Sequence, residues 1–192
     1  DGDRRARVTF HTPDGARDVV FAAWSGEELG LLGSSHWVKS FGDDPDAESI
    51  YPAVAAYLNM DMIGRLQDHV VLQGIGSSPG WAPLIEQRNL AIGLPISLSD
   101  DSYLPTDATS FYLAGVPILA AFTGAHSEYH TPRDVAELVE YDGLARIARL
   151  LEGVATSLAQ AEEPLAYVKT QAPAQRPSSS GLRVYLGTIP DY

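Results

Sequence analysis

The chain has 192 residues, 45% of them apolar, with no cysteine and a formal net charge of −12, which suits one domain with its own core rather than a disordered chain. The acidic balance excludes a nucleic-acid footprint and disfavours an anionic membrane surface, and the lack of cysteine excludes disulfides, thiolate catalysis and thiolate metal sites. No stretch approaches the roughly 18 apolar residues of a membrane span.

In chain order, Asp1–Arg7 reads as linker, Val8–Phe10 as a short edge strand and Pro13-Asp14-Gly15 as a turn. The chain starts without Met and reads as a piece of a longer protein. Arg17–Trp24 contains an unbroken apolar run and predicts a buried strand. Ser25-Gly26 ends it, and Glu28–Phe41 predicts a helix, followed by an acidic loop over Gly42–Tyr51. Ala53–Leu58, Val70–Leu72, Pro95–Leu98 and Val116–Phe122 predict further strands. Helices are expected at Trp81–Ala91, Ala108–Leu113 and Tyr141–Ala159, and an acidic loop carries Asp100, Asp101 and Asp107. This alternation argues for an α/β sandwich with a largely parallel sheet over residues 1–161. Residues 162–181 have the Pro, Ser and Gln content of an interdomain linker. Leu182–Gly187, within 182–192, reads as the first strand of a second module.

Candidate chemistry gathers where strands end, as open α/β sheets build their sites. Glu27 and Glu28 follow the first main strand, Asp61 follows Ala53–Leu58 by three residues, and His130 lies in the loop after Val116–Phe122. Glu, Asp and neutral His form a normal zinc ligand set, and Glu27 would then be a general base beside the metal. Blander readings stand beside this one. The glutamates suit a helix's first turn, Asp61 suits a turn, and His130 precedes Thr131-Pro132, a pattern that resembles a helix start. His126 is a rival ligand.

Three motifs carry a resemblance: Trp24-Ser25-Gly26-Glu27-Glu28-Leu29-Gly30-Leu31-Leu32-Gly33-Ser34, Asn59-Met60-Asp61-Met62-Ile63-Gly64 and Tyr129-His130-Thr131-Pro132-Arg133-Asp134. In this order and spacing they resemble the di-zinc aminopeptidases of the bacterial leucyl aminopeptidase and aminopeptidase Y type, over about Arg17–Ala159. The resemblance implies a three-layer αβα sandwich of phosphorylase/peptidase-like type, truncated on its N-terminal side. It implies hydrolysis of N-terminal residues from peptides by metal-activated water, with Glu27 as base, Glu28 and His130 on one zinc and Asp61 on the other. Tyr129 matches a tyrosine that stabilises the tetrahedral intermediate, and Asp107 on the acidic rim is a candidate for holding the substrate's α-amino group. The tail Leu186–Tyr192 looks like the start of a PDZ domain, which some exported members carry, so export is expected. Such members also have a His-x-Asp motif and a metal-bridging Asp upstream of the Glu-Glu pair. His11-Thr12-Pro13 does not supply the first, and Asp14 and Asp18 do not suit the second. The piece alone is therefore expected to be inactive and prone to self-association, completed by the missing part of its domain or by another chain. Rival readings are a single-zinc acyltransferase resembling glutaminyl cyclase and a non-catalytic peptidase-like binding domain.

Overall fold

The computed structural model describes residues 17–41 and 49–172. The expected strand at Val8–Phe10, the turn at Pro13–Gly15, most of the loop at Gly42–Tyr51, the linker beyond 172 and the PDZ-like strand lie outside those residues.

Among the described residues four strands form one mixed, mostly parallel sheet: β1 (Tyr57–Met60), β2 (Val70–Gln73), β3 (Ile96–Ser99) and β4 (Ile118–Phe122), in the order β1-β4-β2-β3. β1 runs parallel to β4 and β2 parallel to β3, whereas β2 and β4 are antiparallel. β4 sits between two neighbours, and its apolar run is buried on both faces, as such runs require. Its alternate residues feed two cores. Leu119 and Ala121 join Val70, Leu72, Trp81, Ile147, Leu150 and Val154, under α2 (Trp81–Asn89) and α4 (Tyr141–Gln160). Ile118 and Ala120 join Phe111, Tyr112 and Val116, under α1 (Leu32–Lys39) and α3 (Ala108–Leu113). This period-two split makes the three layers. No helix of the described residues is long and apolar enough to cross a membrane.

Two segments differ most from the sequence expectation, beyond the shifted ends of β1 and α1. Arg17–Trp24 belongs to no strand or helix among the described residues, and Val20 and Phe21 are 54% and 50% exposed. Its composition is that of a buried strand, yet it faces a cavity of about 1620 Å³ that also borders β1, β4 and α4. Burial needs a neighbour on each side, and here that side of the run is cavity. The backbone of β1 tells the same story from across the gap. Tyr57 N–H donates to Pro117, just before β4, and Asp61 N–H to Ala121 on it, so in a parallel ladder the N–H and C=O groups of Leu58 and Met60 point the other way, towards the cavity. The second difference is at residues 162–172, read from sequence as linker. They pack against the domain, with Leu165 on the core, Val168 N–H donating to the Ser77 carbonyl at 2.8 Å and the Tyr167 hydroxyl donating to the Tyr112 carbonyl at 3.0 Å.

Candidate active site

The Glu27-Glu28 turn is held by its ends. At its start, Trp24 packs among Trp37 and Phe111, and its indole N–H donates to the Tyr57 hydroxyl at 3.0 Å. Tyr57 stacks on Phe111 at 4.0 Å and donates to Asn59 Oδ1 at 2.9 Å, which fixes the turn against β1. At its close, Leu31 N–H donates to the Glu27 carbonyl at 2.9 Å and Gly33 N–H to the Ser25 carbonyl at 2.8 Å. Two glycines make this possible. Gly26 has φ +67°, and a Cβ on Gly33 would lie 2.7 Å from the Ser25 carbonyl oxygen. The helix expected from Glu28 therefore begins only at Leu32, leaving both glutamates on an irregular turn.

β1 runs two residues beyond its expected end, so Asp61 follows it directly, still bonded through its N–H to Ala121 at 3.5 Å. β4 ends level with it, and the loop that follows folds back to present Tyr129 and His130. His130 Nε2 lies 2.7 Å from Glu28 Oε1. Tyr129 stacks on the His130 ring at 3.8 Å with 21° between planes. Glu27, Glu28, Asp61, Asp107, Tyr129 and His130 all line the same cavity, at the end where β1 and β4 stop. His126 does not join them. It lines an adjoining cavity of about 420 Å³ and faces Glu128 and Asp134, its Nδ1 buried without a hydrogen bond.

The acids feel one another. Burial first, then the charges of Glu28, Asp107 and Asp61, push the Glu27 carboxyl above its ordinary range, while His130 pulls it down. Burial and the Glu28 charge raise Asp61, against the hydrogen bond from the Met62 backbone that lowers it. Burial also raises Asp107, against a hydrogen bond from Ser34 that lowers it and with the Asp61 charge adding to the rise; Asp107 is 8% exposed and its Oδ1 has no hydrogen-bond partner. Carboxylates crowded in one cleft, each raising the others, are what a bound cation relieves. The donor types fit zinc, but the described residues assemble no group of three donors around one point. Glu28 and His130 form a pair, with Asp61 beside it.

What sequence reasoning missed is the scaffold behind these residues: the Trp24–Tyr57–Asn59 chain, and Arg65 bonded to Asp134. Both connect side chains far apart in sequence and leave no periodic signal.

The profile of Peptidase family M28 matches residues 5–155. The chain is 32% identical to leupeptin-inactivating enzyme 1 of Streptomyces exfoliatus over 118 residues, 57% of this chain and 23% of the relative. Among solved structures, the Legionella pneumophila LapA aminopeptidase superposes with a TM-score of 0.63 at 20% identity, covering 77% of this chain and 40% of that one. BSAP, a zinc aminopeptidase from Bacillus subtilis, gives 0.54 at 25% identity over 70% of this chain and 34% of its own. The chain thus spans less than a quarter of the length of the curated relative. Three motif loops at one sheet rim and a profile that covers most of the chain lead to one assignment: this protein belongs to Peptidase family M28.

Proposed function

We propose that the chain supplies part of the active site of a zinc-dependent aminopeptidase that removes N-terminal residues from peptides. The observation that carries this reading is the contact of His130 with Glu28 at 2.7 Å, beside Asp61 and Glu27 at the shared end of β1 and β4. Glu28 and His130 would hold one zinc and Asp61 would contribute to a second; the bound ions would supply Lewis acidity towards water and the scissile carbonyl.

The remaining steps belong to this chain's residues. Glu27, raised by burial and by its acidic neighbours, has the proton affinity of a base that takes a proton from water and returns it to the departing amine. The Tyr129 hydroxyl would donate to the oxyanion that develops on the substrate carbonyl. Asp107, buried on the same cavity with an unpaired oxygen, suits the positively charged α-amino group of a peptide. The other ligands come from polypeptide outside this chain, either the upstream part of the same domain or another chain. The protein that contains it is exported. Alone, this piece is inactive.

The test uses the complete enzyme and an aminoacyl nitroanilide. Zinc-dependent release of nitroaniline that is lost in Glu28→Ala, Asp61→Ala and His130→Ala supports the reading. Unchanged hydrolysis in those variants refutes it.

A further inference from the structure

Three non-glycine residues among those described adopt a left-handed backbone: Leu31 at φ 58°, Met62 at φ 50° and His130 at φ 56°. Each falls in one of the three loops that carry candidate ligands. Leu31 follows the Glu27-Glu28 turn, Met62 follows Asp61, and His130 is itself a candidate. Side chains disfavour this conformation, so it persists only where the surroundings hold it.

For Met62 and His130 the holding contacts share one residue. The Met62 carbonyl accepts from Thr123 N–H at 3.2 Å and from the Thr123 hydroxyl at 2.5 Å. The same Thr123 oxygen accepts from Arg65 N–H at 3.2 Å. The Arg65 side chain, only 16% exposed, crosses to the second loop. Its guanidinium donates to Asp134 Oδ1 at 2.6 Å and lies 4.0 Å from Glu128 Oε2. That loop is closed on itself. The Glu128 carbonyl accepts from Thr131 N–H at 2.9 Å and from its hydroxyl at 2.7 Å, and Asp134 N–H donates to the Thr131 carbonyl at 3.1 Å. Between these anchors Tyr129 stacks on His130, and His126 meets the Tyr129 ring edge-on, 6.3 Å between centroids at 86°.

We propose that Arg65 is a positioning residue, which through Asp134 sets the Tyr129-His130 pair over Asp61. Its backbone belongs to the loop that carries Asp61 and its guanidinium is bonded to the loop that carries His130. One residue therefore fixes the separation of two ligands that come from different strands. The guanidinium already faces two carboxylates, Asp134 and Glu128, so its charge is matched within the protein and not directed at a substrate anion. The functional meaning rests on Asp61 and His130 being ligands; the tie itself does not.

The test is therefore run on the metal-free chain, whereas the ligand reading is tested by activity in the complete enzyme. Amide hydrogen exchange is followed in wild type, Arg65→Ala and Arg65→Lys, together with the ring-proton resonances of His130, which the stacked Tyr129 shifts. Arg65→Ala is expected to speed exchange between Thr123 and Asp134 by about tenfold or more, while α4 changes by less than about twofold. In the same variant the His130 ring protons move to unstacked positions. Arg65→Lys keeps the ion pair, and both the protection and the stacked resonances are retained. Unchanged exchange in the loop of Arg65→Ala overturns the proposal. So does an equal rise in α4, which marks general loss of stability, and so does an Arg65→Lys variant that behaves like Arg65→Ala.

Discussion

Asp107→Asn should make the metal-free chain more stable. Asp107 precedes α3, yet its side chain caps no N–H of that helix. It is 8% exposed, and its Oδ1 is buried without a partner. Burying a polar group without full compensation costs about 1–3 kcal/mol, and the hydrogen bond from Ser34 to this carboxylate returns only part of the cost of its charge. Asparagine removes the charge at nearly unchanged volume and is an equally good residue before a helix. A gain of about 1 kcal/mol follows, or about 2–4 °C in melting temperature for a chain of this size. The sign is checked through pH. Burial raises the Asp107 pKa in the folded state, so the folded chain binds the proton more tightly than the unfolded one. Its stability then falls as pH rises through the raised pKa and is recovered on acidification towards the ordinary value of about 3.9. Thermal melts of both proteins without metal, at about pH 7.5 and about pH 5, should show the larger advantage for asparagine at the higher pH. A variant that melts at or below wild type at the higher pH, or an advantage that grows on acidification, refutes the reasoning. In the complete enzyme the same substitution should raise KM for peptides with a free amine more than it lowers kcat.

Glu27→Gln in the complete enzyme should bind zinc nearly as wild type and lose about 10²–10⁴ in turnover; calorimetry with a nitroanilide assay separates the two. The 192-residue chain alone should show no tight zinc site by calorimetry, because Glu28 and His130 form only a pair and Asp61 does not complete it around one point among the described residues, whereas a catalytic site takes three protein ligands. It should also associate in sedimentation experiments through the open side of β1, and Val20→Lys with Met60→Lys, at positions 54% and 52% exposed, should reduce that association. Gly33→Ala should cost about 1–3 kcal/mol, read by thermal melting, since its Cβ meets Ser25 backbone at 2.7 Å.

The three motif loops were legible in the sequence because each carries local punctuation: an apolar run, a glycine break and an acid or imidazole at fixed spacing. The buried strand β4 and the long helix α4 were legible for the same reason, since their apolar periods are complete within the chain. Arg17–Trp24 misled because its pattern describes a strand with neighbours on both sides, and periodicity reports which burial a segment suits, not whether the burying surface is there. Residues 162–172 misled in the opposite sense: the Pro-, Ser- and Gln-rich run that continues to 181 hid a strap held to Ser77 and Tyr112 by hydrogen bonds that no periodic pattern announces. Arg65 could not be found because its value comes from meeting Asp134, a pairing that only the fold creates.

The reversal of direction between β4 and β2 limits how this rim can be furnished. Chain polarity decides which loops emerge beside the acids, and among the described strands only β1 and β4 leave the sheet on that side. β2 and β3 end at the far side, where Gly74 and Asp101 meet near the start of β4, so Asp107 reaches the rim only by an eight-residue return from Ser99. Additional strand ends cannot be added towards β3, because each further parallel neighbour there would also point away. Among the described strands, the sheet margin free to take a further parallel neighbour whose end meets this rim is the one across Leu58 and Met60, on the cavity side of β1.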